Sequence, residues 1–494
     1  MADRAEGMNG AAGEHLDVLI VGAGISGIDA AYHLHQRCPG KSWAILEARE
    51  AIGGTWDLFR YPGIRSDSDM YTLGFPFRPW TGDKAIADGP EIKAYVKDTA
   101  RRFGIDRRIR FRHKAVRADW SSADARWTVA VETGEGTQML SCAFLFLGSG
   151  YYDYEQGYRP SWPGEERFRG RFVHPQFWPE ELDYAGQRIV VIGSGATAVT
   201  LVPALADRAA QVTMLQRSPS FVVPRPAMDP LTRWLRRVMP RKAAAGMIRR
   251  KNILLGMMFF NRARKKPDKV RALLLKMVRG ALAPGYDVER DFSPRYNPWD
   301  QRVCLAPDGD LFKAMNAGKV SVVTDTIETF TESGIALDSG RTLDADIVVT
   351  ATGLVVKLLG GIALTVDGAP VDVAETFNYK GMMLSGVPNL VLSFGYTNAS
   401  WTLKCDLTSR WFCRLLRHMD RRGLAICAPR LADPAMERQP MLDFSSGYVA
   451  RAARAMPAQG PKAPWRVHQN YLKDVAALSL RPIADNVMEF RSAG

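Results

Sequence analysis

FRGRFVHPQFWP, residues 168–179, lies between two glycine-rich fingerprints, VGAGISG at 21–27 and IGSGATA at 192–198. Either fingerprint alone indicates a nucleotide site and no more. Two of them, joined by a segment with Gly170, His174 and Trp178 at set offsets, indicate two coordinated nucleotide cofactors. On its own physics the segment reads as a linker. Gly170 permits a sharp turn, Pro175 and Pro179 block helix, and Phe168, Phe172, Phe177 and Trp178 are predicted to anchor it by burial. Such a linker is placed to report one cofactor to the other; the competing reading is an ordinary aromatic hinge.

Outward on the N-terminal side, LDVLIVGAGISGI (16–28) predicts a strand, a tight turn and a helix start. Gly22, Gly24 and Gly27 supply the turn, close approach to a pyrophosphate and close helix packing. The next strand, WAILE, ends on Glu47, twenty residues after Gly27, where an acid takes the ribose hydroxyls of an adenine nucleotide. AIGGTWDLFRYPGIRSDSDMYTLGF (51–75) follows, with Gly53 and Gly54 for close backbone passage and Trp56 and Tyr61 as flat faces. From spacing alone, Asp67 and Asp69 read as solvated or turn-capping carboxylates as readily as functional ones. A helix is predicted over 90–104, antiparallel strands over FRHKAVRADW and ARWTVAVETG, and a buried strand at 141–150.

On the C-terminal side, QRIVVIGSGATAVTLVPALADRAAQVTMLQRSP (187–219) repeats the unit. Gly193, Ser194, Gly195, Ala196 and Thr197 form its turn, and Ala198 replaces the third glycine. Where the first unit places Glu47, this one places Ser218 beside Arg217. A cation and a hydroxyl suit a ribose 2′-phosphate, so this half is expected to prefer NADP(H) to NAD(H). Residues 296–353 predict short strands and a hairpin, with the buried run Asp346–Gly353 returning the chain to the first sheet. In 386–407 a strand leads into a helix with Asn398 and Ser400 as candidate caps. Beyond it the chain reads as helical with an irregular tail.

Composition bounds these readings. The 494 residues allow two to four domains, with an ordinary 46% hydrophobic and 24% charged content. MADRAEGMNGAAGEH lacks an apolar signal region and reads as a disordered tail. Six scattered cysteines without a CxxC pair favour a reducing, cytoplasmic setting and argue against structural zinc, so no metal is expected. The longest apolar stretch, 348–366, is broken by Lys357, Gly360 and Gly361, and reads as strand and loop. The net charge of +14 is local: residues 231–280 hold sixteen Lys or Arg against one acid, Asp268. That argues against nucleic-acid binding by the whole chain. The segment reads as a helical insertion with a solvated basic face and a core-facing apolar one, the alternative being an amphipathic face lying on an anionic membrane surface or against an acidic partner.

Taken together, these motifs resemble a family. FRGRFVHPQFWP matches FxGxxxHxxxW(P/D), the fingerprint of type I Baeyer–Villiger monooxygenases within the flavin-containing monooxygenase superfamily. GGTW and RYPGIRSD are similar to the family's, and PWDQR, VVTDTIETFT and GYTNASWTLK resemble its ethionamide-activating branch. The resemblance spans roughly residues 15–475. It implies an α/β fold of two Rossmann-like dinucleotide-binding domains, with an NADP domain inserted in a discontinuous FAD domain. The corresponding division is a tail at 1–14, the FAD domain at 15–165 and 346–494, the NADP domain at 166–224 and 291–345, and the basic helical insertion at 225–290.

The resemblance further implies FAD and NADP(H) as cofactors, O2 as co-substrate, and a small ketone or sulfide as substrate. Ketones become esters or lactones through a C4a-peroxyflavin, with sulfoxidation alongside, and the cofactor carries the chemistry. By residue, the family's essential arginine falls on Arg302, a permanent cation for the peroxyflavin anion and NADP, and its aspartate on Asp67, which orients Arg302. Ser26, Thr55, Trp56, Tyr71, Val116, Asn398 and Trp401 are carried over as cofactor contacts. His174 is expected to couple the linker to NADP occupancy. Three rivals stay open: heteroatom oxygenation as the main activity, a flavin disulfide reductase, for which the cysteine spacing offers no dithiol, and a non-catalytic membrane-surface protein.

Overall fold

The computed structural model describes residues 14–442 and 444–492. The expected tail falls outside them except for Glu14, whose carboxylate pairs with Arg110 at 2.6 Å.

The chain is built on two sheets. The first has nine strands, and its parallel part is ordered Leu390–Leu392, Gly136–Leu147, His15–Val21, Trp43–Glu47, Ile109–Phe111. The central strand reads HLDVLIV and is buried on both faces over Val18–Ile20, which explains its continuous apolar run. Gly136–Leu147 serves two neighbours in succession. Its first half pairs antiparallel with Arg126–Thr133, and its second half pairs parallel with His15–Val21. The meander predicted from the alternating FRHKAVRADW and ARWTVAVETG runs continues through Lys114–Ser121 to Ala363–Val366. The predicted 90–104 helix is Gly89–Arg102. The helices Ile25–Arg37 and Trp401–Asp420 cover one face of the sheet and share its largest core cluster.

The second sheet is parallel, in the order Val320–Thr324, Gln211–Gln216, Arg188–Ile192, Ile347–Thr350, Arg171–Val173. Two sequence expectations change here. The buried run after Asp346 does not return to the first sheet, because Ile347–Thr350 pairs with Arg188–Ile192 in the second. A four-residue strand buried on both faces carries no mark of which sheet it joins. The chain re-enters the first sheet only at Ala363–Val366. Second, the fingerprint segment is more than a linker: Arg171–Val173 is the edge strand of this sheet. Phe168 is buried, but Phe177 is half exposed and anchors nothing.

The two sheets are joined by two chain crossings, Tyr152–Gly157 and Leu354–Val356, which pair antiparallel. The basic segment forms three helices, Pro230–Val238, Arg241–Lys265 and Pro267–Ala281. After Asp420 the chain is less helical than expected. Ile426–Pro429 pairs with Met488–Arg491, and the short pieces between them lack the periodicity that sequence reading depends on. Among the described residues no helix is long and apolar enough to cross a membrane.

Candidate functional site

The first glycine turn is fixed by sterics. Gly22 has φ +99°, and a Cβ there would lie 2.7 Å from the Gly148 carbonyl oxygen; at Gly27 it would lie 1.9 Å from the Gly22 oxygen. Gly24 faces Gly54 of GGTW, leaving bare backbone on both sides of a slot. Glu47 closes the slot. Its carboxylate accepts from the Ala23 N–H at 2.8 Å and the Arg49 N–H at 2.9 Å, and burial raises its pKa. Val116 is the extra residue of a β-bulge between Ala115 and Arg117; its neighbours His113, Lys114 and Ala115 line the cavity described below, and Val116 itself does not.

The second turn repeats the logic. Gly193, at φ +135°, would place a Cβ 2.3 Å from the Ala351 oxygen. Ser194 Oγ donates to the Ser218 carbonyl at 3.0 Å and lies 2.9 Å from Ser220 Oγ. Arg217 and Ser218 are exposed at the end of Gln211–Gln216, on the rim beside this turn.

Both turns open on one cavity of about 720 Å³. Gly22, Gly24, Ser26, Glu47, Thr55, Trp56 and Asp67 line it from the first domain, Gly195, Ala196 and Thr197 from the second, and Arg302 and Trp401 from later in the chain. Within its lining Arg302 Nη1 donates to Asp67 Oδ2, joining residues 235 apart in sequence. Asn398 lines a smaller pocket that shares Asp67 and Arg302. Trp401 is held by a hydrogen bond from its indole N–H to Ser26 Oγ at 2.9 Å and by stacking on Tyr151, 5.2 Å between ring centroids.

Other expected residues lie elsewhere. Gly27, Gly193, Ser194 and Ala198 shape the turns from behind. Tyr71 does not reach the cavity: its ring is buried against Leu235, Ala244 and Ile248 of the basic helices, because the short helix Met70–Leu73 turns that side outward. Ser400 precedes the helix Trp401–Asp420 without capping it, its hydroxyl bonding Thr72 Oγ1 at 2.6 Å, while Asn398 donates to the Gln469 carbonyl.

Phe168, Gly170, His174 and Trp178 sit behind the domain crossing. A Cβ at Gly170 would meet the Phe168 ring at 2.3 Å. The His174 ring lies over Gly157, where a Cβ would come within 2.1 Å of it, and its Nδ1 accepts from the Gln176 N–H at 3.2 Å. Burial lowers its pKa, so the imidazole is neutral at pH 7. Its ring is wedged against the crossing at Gly157 and lies beside the backbone of Tyr158 and Gly353. Trp178 packs edge-on to Tyr184.

Sequence reasoning missed several residues that line the cavity or support its walls, Asp57 and Gly63 being of the second kind. Tyr151, Tyr152 and Tyr154, in GSGYYDYEQG, form an aromatic wall, with Tyr151 and Tyr152 hydroxyls 2.8 Å apart. Three tyrosines directly after a glycine turn were the available signal. Asp57, nearly fully buried behind GGTW, is held by Arg49 at 2.8 Å and Lys93 at 2.6 Å. Gly63 of RYPGIRSD, at φ +74°, abuts the second domain's helix Ala196–Leu205; a Cβ would lie 2.7 Å from Ala204 Cβ. Phe444 and Tyr448 close the cavity from the C-terminal part, where nothing in the sequence marks them.

Two glycine cradles open on one cavity that an arginine–carboxylate pair also lines, the arrangement of a two-nucleotide oxidoreductase. The sequence matches the flavin-binding monooxygenase-like family over residues 83–241 and an NAD(P)-binding Rossmann-like domain over 20–83. It is 55% identical to the FAD-containing monooxygenase EthA of Mycobacterium tuberculosis, covering 97% of this chain and 98% of that protein. The EthA of Mycolicibacterium smegmatis is 52% identical, at 97% coverage of both chains. The chain belongs to the flavin-binding monooxygenase-like family and is a flavin-dependent monooxygenase. Its fold is that of an oxidized steroid monooxygenase bound to NADP, with TM-score 0.78, 23% identity and coverage of 97% and 100%. A complex of OTEMO with FAD and NADP matches with TM-score 0.73, 22% identity and coverage of 96% and 99%.

Proposed function

We propose that this monooxygenase uses FAD and NADP(H) to insert one oxygen atom of O2 beside the carbonyl of a small ketone, giving an ester or lactone. The observation that supports the proposal is the Arg302–Asp67 pair in the lining of the cavity onto which both glycine turns open. The residues present fit the cofactors. FAD would be held at its pyrophosphate by the Gly22–Gly24 turn and the N-terminus of Ile25–Arg37 and at its ribose by Glu47, with Val116 a further contact. NADP would be held by the Gly193–Ala198 turn, with Arg217 and Ser218 for the 2′-phosphate. Ser26, Thr55, Trp56 and Trp401 face the flavin end, and Asn398 stands beside the pair.

When bound, the flavin supplies hydride acceptance from NADPH and activation of O2. The chain supplies placement and charge. The Arg302 guanidinium offers a cation to negative charge that would develop at the flavin and at the substrate oxygen. Asp67 fixes the direction in which that cation points. Tyr151, Tyr152, Phe444 and Tyr448 wall the site with aromatic faces against which a small apolar substrate can rest. His174, neutral and wedged on the crossings, keeps the two domains in register.

Oxygenation of sulfur or nitrogen as the main activity is the second reading, favoured by the likeness of PWDQR, VVTDTIETFT and GYTNASWTLK to the ethionamide-activating branch. Both readings use the same residues, and one experiment separates them. The holoenzyme, Arg302→Ala and Arg302→Lys are each given NADPH, O2 and an equimolar ketone and thioether. Ester formation by the wild type, lost in Arg302→Ala and poorly restored by lysine, supports the proposal. Sulfoxide without ester moves the assignment to heteroatom oxygenation.

A further inference from the structure

The three basic helices have two unlike faces. The inner face is committed to the protein. Arg249 Nη1 donates to the carbonyls of Tyr71, Thr72 and Gly74 at 3.0, 3.1 and 2.7 Å, and Asn252 donates to Asp69 at 2.8 Å. Leu235, Ala244 and Ile248 bury Tyr71, while Val270 and Leu274 pack on Phe221.

The outer face is apolar where solvent should make it polar. Each helix carries its own line of exposed large side chains. Leu231, Trp234 and Val238 stand at i, i+3 and i+7; Met247, Leu254 and Met258 stand at i, i+7 and i+11; Leu273 and Met277 stand one turn apart. Trp234 is 58% exposed and Met258 65%. The spacings put each set on one side of its helix, so the exposure is patterned and not a scatter of single residues.

Charge decides what covers this face. Four of the sixteen cations in 231–280 pair with an acid and Arg249 and Arg271 bond to oxygens of the chain, which leaves ten whose side chains have no hydrogen-bond or ion-pair partner among the described residues: Arg233, Arg237, Arg241, Lys242, Arg250, Arg262, Lys265, Lys266, Lys269 and Lys276. The one acid, Asp268, cannot offset them. A second copy of this chain laid face to face brings two such sets together, and like charges repel across a desolvating contact. Apolar lines interleaved with unpaired cations instead match a surface of acyl chains under anionic headgroups.

We propose that the helices Pro230–Val238, Arg241–Lys265 and Pro267–Ala281 dock this enzyme peripherally on an anionic phospholipid bilayer. Their outer apolar side chains enter the headgroup boundary, and the free cations pair with lipid phosphates. Because Arg249 and Asn252 tie the same helices to the loop Asp67–Gly74, docking holds the active-site loop close to the lipid surface.

The test uses full-length holoenzyme sedimented with phosphatidylcholine vesicles, with and without phosphatidylglycerol, at low and high salt. Trp234→Ser, Leu231→Ser/Val238→Ser and Arg233→Glu/Arg237→Glu are run beside the wild type. All five positions are exposed, so folding is undisturbed; NADPH oxidation with a water-soluble substrate serves as the control. The wild type is expected to sediment only with phosphatidylglycerol and to be released by salt. Each surface cation lost weakens partitioning by about fivefold, so the double charge reversal lowers it by about 25-fold or more. Trp234→Ser is expected to lose about tenfold and to abolish a lipid-induced blue shift of tryptophan emission. No sedimentation, or equal sedimentation with pure phosphatidylcholine, overturns the proposal. So does self-association in light scattering that Trp234→Ser abolishes without vesicle binding, which would make the face a contact between copies.

Discussion

Asp67→Ala separates what the arginine pair does for the fold from what it does for the reaction. The two side chains are 31% and 46% exposed, so water and salt screen the pair, and its loss costs folding no more than about 1 kcal/mol. Catalysis is more sensitive. Without its carboxylate partner the Arg302 guanidinium is free to swing within the cavity, and misplacement of a charge by about 1 Å costs on the order of 100-fold in rate. That corresponds to about 2.7 kcal/mol of barrier, which clearly exceeds the stability term. Flavin binding rests on the Gly22 turn and Glu47 and is expected to be unchanged. The assay compares the melting temperature, the flavin-to-protein absorbance ratio and product formed per NADPH consumed in wild type, Asp67→Ala and Asp67→Asn. The expected pattern is unchanged melting and flavin content with product formation down about 100-fold in the alanine variant, the asparagine variant lying between. If product formation stays within a few-fold of wild type, Asp67 does not orient Arg302. If activity and melting fall together, the pair is structural.

Further outcomes follow from other parts of the site. Gly22→Ala forces a side chain onto φ +99° and against the Gly148 oxygen; the purified variant is expected to be colourless, which an absorbance spectrum checks. Arg217→Ala removes one charge-assisted contact to a 2′-phosphate, so KM for NADPH should rise about 10- to 100-fold while KM for NADH barely moves. Asp29 is fully buried, and burial, countered by His33 and reinforced by Asp406, pushes its carboxyl up to about 7 from 3.8. A raised carboxyl pKa means that ionisation costs the folded state, nothing below pH 4 and progressively more up to pH 7, then a constant amount. About three units at 1.36 kcal/mol each set an upper bound near 4 kcal/mol. Asp29→Asn should therefore melt higher than wild type by a margin that is larger at pH 8 than at pH 5; equal margins would contradict the account.

The two Rossmann units were legible because strand, turn, helix and acid fall at offsets set by local geometry, as in Gly22, Gly24, Gly27 and Glu47. The Arg302–Asp67 contact was legible only through the family resemblance, since 235 intervening residues leave no local trace of it. The sheet joined by Ile347–Thr350 was misread because a strand buried on both faces looks the same in either sheet. Tyr71 was misplaced because a motif gives position along the chain, and the side toward which a one-turn helix points is set by tertiary packing. Phe444 and Tyr448 reach the cavity from a segment without periodicity, so no pattern announced them. The outward apolar lines of the basic helices were hidden in a composition that equally fits a core-facing stripe.

The central claim is that both cradles and Arg302 serve insertion of dioxygen-derived oxygen next to a carbonyl. The most direct test is turnover of a ketone by holoenzyme with NADPH under 18O2, read by mass spectrometry of the product. The account predicts an ester or lactone carrying one labelled oxygen, absent from the Arg302→Ala reaction. NADPH oxidation that yields hydrogen peroxide and unchanged ketone, with label appearing only in the sulfoxide of a thioether control, would contradict it.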